Sequence, residues 1–429
     1  MIQLSKLRIV LKYLKKILPP KVTVLIYRIF AIRYINGLKC DRHQSRKTVL
    51  VLNHYYDQDV KAITLANDKY NLLVVNTAIL FKGAKVFFSK GVIDLLEPYN
   101  EEEVKNLIRY REECNIIFNK LKIKFGLDLI VTAADNYYWV REFISVAKSK
   151  GVNTVVLDKE GLISPHSFES EAERIRKYAP FMSDHIYVWS ERQRRYWEKI
   201  GIKKELITVI GQPRSDLFHY KIEFKVDKYF EKSKPIITFF TYEDDAYIPR
   251  DLVQNEKITW STLKQQTQDF LYQMAIENDQ YNFVFKAHPQ QLDLDSLKKK
   301  YNRENLKVIG GAEISNELIV RSELIVAFQT TAVLEAMFME KRVVYTGWDK
   351  TEERLRNQIL PFKKTQGLVV AHSYEDFKSI CDEFFSGRSK IFELTLEQID
   401  ARDKFVSTYF YKPDGNVSKR FFSCISEYM

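Results

Sequence analysis

Residues 323–349 read ELIVAFQTTAVLEAMFMEKRVVYTGWD. Residues 324–328 form a short, apolar, β-branched run of the length of a buried strand. Gln329, Thr330 and Thr331 follow, and then Val333, Leu334, Met337 and Phe338 recur at helical spacing. Residues 342–346 are a second β-rich run. Strand, hydroxyl-bearing turn, helix and strand make one βαβ unit. Its helix starts where Thr330 and Thr331 offer hydroxyls beside backbone N–H groups that lack an intrahelical partner. That end carries partial positive charge and suits a phosphate. A plain N-cap role for Thr330 accounts for the same residues. Glu335 lies four positions after Thr331 on roughly the same face, within reach of a ribose hydroxyl.

Working outward, the chain of 429 residues is too long for one ordinary core and suits two domains. Its hydrophobic content of 45% and charged content of 29% are those of a folded soluble protein. With 67 Lys and Arg against 56 Asp and Glu, the net charge of +11 points to an anionic partner. Cys40, Cys114, Cys381 and Cys424 are far apart, which argues against a zinc site or disulfide scaffold and fits a reducing compartment. No apolar run is long enough to span a bilayer, and Lys12, Lys15 and Lys16 interrupt what would be the core of a signal peptide.

Residues 1–46 read as a basic amphipathic N-terminal segment. Leu4, Leu7, Val10, Leu11, Leu14, Ile17 and Leu18 recur at helical spacing among lysines, and Pro19-Pro20 ends the pattern. Such a helix can lie on anionic lipid, or pack its apolar face on the protein. From residue 48 short strands alternate with helices through residue 210, and a second alternating series starts at 235 after a charged linker near 217–234. The expected domains are 47–225 and 226–429, the latter carrying the C-terminal helices. Alternation of this kind implies parallel sheets covered on both faces. Ligands of such sheets sit beyond the carboxyl ends of the strands. The residues there include His54 and Asp57, then Asp135, then Asp158, Lys159, Glu160 and Gly161, then Gly211 and Arg214.

Three pieces could meet in a cleft between two such domains. His288-Pro289 follows a strand, where an imidazole can donate to a phosphate oxygen and assist a leaving group. The Thr330-Thr331 helix start is the second piece. Glu160-Gly161 places a carboxylate at a strand end of the first domain, as a general base would require. Asp57-Gln58-Asp59 and Asp293-Leu294-Asp295 fit a short D-x-D metal pattern that arises easily by chance among 56 acidic residues. His54 and Asp135 are acceptor-side polar groups or simple turn residues.

These pieces resemble those of GT-B glycosyltransferases that use CMP-activated sugars, such as bacterial sialyl and Kdo transferases. That resemblance rests on Lys159-Glu160-Gly161, His288-Pro289 and Thr330-Thr331. It implies Glu160 as base with Asp158 in reserve, and His288, Thr330 and Thr331 as phosphate ligands. The chain departs from the pattern where Lys159 replaces an acidic residue and threonine replaces serine. It is also similar to CDP-glycerol and CDP-ribitol phosphotransferases, through Gly211-Gln212-Pro213-Arg214-Ser215-Asp216 and Asp414-Gly415-Asn416-Val417-Ser418-Lys419-Arg420. Those enzymes carry His-Gly where this chain has Glu160-Gly161.

The expectation is an α/β protein of GT-B type: two Rossmann-like doubly wound parallel-sheet domains facing a cleft, with a basic helical N-terminal extension. The expected activity is inverting, metal-independent transfer of a sugar, an acidic ulosonic acid, from a CMP donor to a surface glycan acceptor, lipid-linked or free. Pro289, Glu335 and Gly211 would assist nucleotide binding, and Arg214, His54 and Asp135 substrate binding. No cofactor is expected beyond the CMP-sugar substrate. The expected place is cytoplasmic, peripheral on the inner face of the membrane, with no nucleic-acid partner because no aromatic-basic module occurs. The alternatives are CDP-polyol phosphotransfer and a non-catalytic membrane- or nucleic-acid-binding protein.

Overall fold

The computed structural model describes residues 19–53, 56–88, 101–159, 161–164, 167–220, 225–230, 234–246, 248, 250–288, 291–311, 314–388 and 390–429. The first amphipathic stretch, His54, Glu160 and Pro289 lie outside the described residues. The chain folds into two α/β units. One comprises Met1–Gly161, Glu169–Asp216 and Tyr411–Met429; the other comprises Leu162–Phe168 and Leu217–Phe410.

The first unit is built on six parallel strands, β1 (Thr48–Asn53), β2 (Asn71–Asn76), β3 (Leu127–Thr132), β4 (Asn153–Leu157), β5 (His185–Val188) and β6 (Ile207–Val209). They lie in the order β2-β1-β3-β4-β5-β6. The two faces are sorted by the strand period of two. Leu50, Leu52, Leu73 and Ile130 face one core with Tyr110, Phe118 and Phe143. Val49, Val51, Leu129 and Val131 face the other with Phe421, Phe422 and Ile425.

Two expectations about the ends of the chain are corrected here. Helix Pro20–Gly37 does not stand apart as an extension: Tyr27, Ala31 and Ile35 are buried in the first core. The Tyr27 hydroxyl donates to Ile79 O at 3.1 Å. The tail was placed in the second domain, yet helix Val417–Ile425 supplies the first unit with four core residues. Local patterning identifies the helix but not its partner, because the apolar face would satisfy either sheet. The expected linker is also structured in part. Val226 is fully buried, and Lys225 and Val226 donate their N–H groups to Glu317.

The second unit holds β7 (Ile236–Thr241), β8 (Asn282–Ala287), β9 (Leu306–Ile309), β10 (Ser322–Ala327), β11 (Val343–Thr346) and β12 (Val369–Ala371). Their order is β12-β11-β10-β7-β8-β9, all parallel. From β7 the chain winds outward to β9, returns to β10 and winds out the other way, the doubly wound order of a dinucleotide-binding fold. The direction reverses between β7 and β10 in this unit, and between β1 and β3 in the first. No helix among the described residues is long and apolar enough to cross a membrane.

Candidate functional site

In the second unit the reversal point brings the stretch after β10 beside the end of β7. The expected strand-turn-helix is present: β10 ends at Ala327 and helix Thr331–Phe338 follows. Thr330 is its N-cap, with an extended backbone and a side-chain oxygen that accepts from Ala332 N at 3.3 Å. The capping role is therefore real, and Thr331 begins the helix beside it. Both threonines are half-buried, while Glu335, one turn on, is buried.

Gln329 was missed by sequence reasoning. Its φ of 31° is a left-handed conformation uncommon outside glycine. The side chain holds the turn: Nε2 donates to the Tyr345 hydroxyl at 2.7 Å and Leu360 O at 2.9 Å, while Oε1 accepts from Leu360 N at 2.9 Å. Tyr345 in turn donates to Glu352 at 2.8 Å, and Glu352 pairs with Lys363 at 3.1 Å. A long amide at a strand-to-helix turn signals this only when its partners are known.

His288 follows β8 directly and is exposed. Gln291 fixes its backbone, accepting from His288 N and donating its own N–H to His288 O, each at 3.0 Å. Two positions earlier, Lys286 is 2% exposed, and its ammonium donates to Ala287 O at 2.7 Å. Burial lowers its pKa from 10.5 to about 8. Asp293 of the second D-x-D match pairs with Lys264 at 2.9 Å, which also holds Asp244 at 2.6 Å. Among the described residues no group of three or more His, Cys, Asp or Glu side chains could hold a metal ion.

In the first unit several expected ligand groups turn out to hold the protein together. Asp158, the reserve base, is 3% exposed, and its Oδ2 accepts from Gln193 Nε2 at 2.8 Å and Trp197 Nε1 at 2.5 Å. It anchors helix Glu191–Ile200, and a carboxylate so engaged is poorly placed to take a proton from an acceptor. Asp135, expected on the acceptor side, is 2% exposed and accepts from Met182 N and Ser183 N, both at 2.9 Å. Burial pushes its carboxyl up even against those two donors. It ties one loop to another.

Gly161 packs on the indole of Trp189, where a Cβ would overlap the ring. Arg214 stands 5.1 Å from the same indole's centroid and pairs with buried Asp59 at 2.8 Å. Asp59 of the first D-x-D match also accepts from Arg214 N at 3.0 Å. Arg214 is thus a guanidinium held in one place and partly open to solvent, still suited to an anionic substrate.

Gly211 was expected at the nucleotide. Instead it adopts φ 102° with Tyr411 O so close that a Cβ would collide with it. The two motifs that suggested the polyol phosphotransferases interlock. Asp216, fully buried, accepts from Val417 N at 3.0 Å and Ser418 N at 2.7 Å. Arg420 donates to Ile210 O at 3.0 Å, to both Asp414 oxygens at 2.8 and 2.9 Å, and to Lys412 O at 2.7 Å.

No family model and no curated protein sequence matches this chain. Solved structures do. A Listeria monocytogenes protein assigned as a UDP-N-acetylglucosamine 2-epimerase aligns with a TM-score of 0.52 at 13% identity, covering 89% of this chain and 96% of that one. The Neisseria meningitidis UDP-GlcNAc 2-epimerase bound to UDP-GlcNAc gives 0.50 at 12% identity over 89% and 100%. The wall teichoic acid polymerase TagF, soaked with CDPG, gives 0.52 at 10% identity, over 100% of this chain and 98% of that one. At such identities the likeness speaks for the fold: the chain has the two Rossmann-like α/β domains of GT-B proteins.

Proposed function

We propose that this protein is a transferase that draws on a cytidine-nucleotide donor, and that it moves a sugar, an acidic ulosonic acid, from CMP to a surface glycan by a metal-independent inverting reaction. The observation that carries this reading is the reversal point of the second sheet, where the Thr330-Thr331 helix start stands beside β7 and exposed His288 follows β8. A helix start and an imidazole can together steady a departing phosphate. Glu160, preceding the glycine that packs on Trp189, takes the acceptor proton as its hydroxyl attacks the anomeric carbon. The C–O bond to phosphate breaks as that attack proceeds, and CMP leaves with its charge on the phosphate.

One observation favours a second reading, CDP-polyol phosphotransfer. The motifs shared with that family form one interlocked element, and TagF, a wall teichoic acid polymerase, matches over all of this chain. Incubating the protein with CMP-sialic acid, CMP-Kdo, CDP-glycerol and CDP-ribitol, with and without chelator, separates the two. Release of CMP from the sugar donors in chelator supports sugar transfer. Turnover of the CDP-polyols alone overturns it in favour of phosphotransfer, and no turnover of any cytidine donor rejects both.

A further inference from the structure

Lys286 is a charged residue one position from the carboxyl end of a mainly apolar strand. β8 reads NFVFKA and is buried at every position. An ammonium has three donors. Here one of them meets Ala287 O, and among the described residues Lys286 forms no other hydrogen bond and no ion pair. Other buried cations of this unit are arranged differently: Lys264 is held between two carboxylates, and Arg402 pairs with Glu340 and Asp403. An isolated buried charge is costly, and proteins pair or neutralise it. Burial alone accounts for the depressed pKa, with no nearby carboxylate opposing it, yet a value of about 8 leaves the group mainly charged at neutral pH.

Its location gives that charge a use. Lys286 is in register with Phe240 of β7, and Phe240 with Ala327 of β10. The Lys286 ammonium bends toward Ala287 O, that is, toward the carboxyl edge of the sheet. β8 and β10 flank β7 from its two sides, so Lys286 and the Thr330-Thr331 helix start border the same strand end. This is the edge at which doubly wound sheets take their ligands. We propose that Lys286 is an anion-binding residue of the second unit, whose missing counter-charge is a phosphate of the nucleotide donor. The proposal rests on the reading of this unit as the nucleotide half. In it the phosphate enters between the lysine on one side and the helix start on the other. Binding then relieves a charge that the empty protein carries at a cost.

The test uses the full chain with Lys286→Met, which keeps an unbranched side chain one atom shorter and removes the charge, beside the unaltered protein. Thermal unfolding and calorimetric titration are run with CMP, uncharged cytidine and inorganic pyrophosphate. The expected result is that Lys286→Met unfolds at the same temperature as the original or higher without ligand, yet binds CMP at least tenfold more weakly. Cytidine, which lacks the phosphate, should bind both proteins alike. A variant that melts lower and keeps CMP affinity within twofold overturns the proposal and makes Lys286 a brace for the turn before His288. If pyrophosphate but not CMP stabilises the original protein and Lys286→Met abolishes that, the anion site stands and the cytidine reading falls. If no anion binds the original protein, the proposal is rejected together with that reading. Should Lys286→Met fail to fold, Lys286→Gln is judged by the same criteria.

Discussion

Asp216 and Ser418, 202 positions apart in sequence, are joined by a 2.7 Å hydrogen bond in which the buried carboxylate accepts the backbone N–H. Its other oxygen takes Val417 N, so one side chain caps a helix that local sequence leaves without a side-chain cap. Removing a buried charged acceptor strands both donors, at roughly 1.5–3 kcal/mol per such bond. Asp216→Ala is therefore expected to lower unfolding stability by about 3 kcal/mol, with Asp216→Asn intermediate. Limited proteolysis should cut first within residues 411–429. An unchanged melting temperature would mean that the clasp is dispensable.

Asp158 and Glu160 are two positions apart and are expected to behave in opposite ways. Asp158→Asn disturbs the bonds to Gln193 and Trp197, so stability falls by about 1–3 kcal/mol. Glu160→Gln should leave unfolding alone and cut turnover by about 10²–10⁴-fold, the usual range for lost acid–base help. CMP affinity should be unchanged in it. Full transfer activity in Glu160→Gln would remove it as the base.

Gly161→Ala tests the contact with Trp189. A methyl group there has no room beside the indole, and overpacking costs about 1–3 kcal/mol. Displacement of the loop should reduce turnover more than it reduces CMP binding. Wild-type rates in this variant would show that the position of residue 160 does not depend on that packing.

The imidazole of His185 lies between the Thr208 hydroxyl at 2.8 Å from Nε2 and the Tyr428 hydroxyl at 2.6 Å from Nδ1, with the Tyr187 ring 4.8 Å from its own. Burial lowers its pKa from 6.5 to about 4. The unfolded chain therefore takes up the proton first. The stability this neutral histidine contributes is complete above about pH 6.5 and falls away as pH drops toward 4. Melting temperatures across that window should fall more steeply for the original protein than for His185→Phe. Parallel curves would exclude His185 as a source of acid sensitivity.

Helix Pro20–Gly37 leaves Val22, Leu25 and Ile29 exposed at 39%, 52% and 58%, an apolar row on its outer side. Removing residues 1–18 and changing Leu25 and Ile29 to serine should reduce co-sedimentation with anionic vesicles while donor hydrolysis persists. Unaltered sedimentation would dissociate this face from lipid.

Much of the fold was legible because strands such as β1, β7 and β10 are buried on both faces, and that burial writes itself as continuous β-branched and aromatic runs. The Thr330 cap was legible for the same local reason: a hydroxyl stood before an apolar helical pattern. Asp135 and Asp158 were misread because a carboxylate after a strand looks identical whether it faces a ligand or the protein's own N–H groups. Lys286 was passed over because FVFKA reads as core. Gly211 was given to a nucleotide because its close neighbour, Tyr411, lies two hundred positions away in the chain.

The return of residues 411–429 to the first sheet makes the second unit an insertion within the first, apart from the short excursion at Leu162–Phe168. The order of synthesis then runs against the order of structure. β1 to β6 emerge from the ribosome long before Phe421, Phe422 and Ile425, which cover Val49, Val51 and Val131. Throughout that interval Tyr56, Val60 and Ile63, at and within helix Asp57–Ala66, cover that face of the first sheet in part, and the share that Phe421, Phe422 and Ile425 will fill stays open to chaperones or to misassociation. The second unit, made later, holds all six of its strands in one stretch of chain, from β7 to β12, and can mature first.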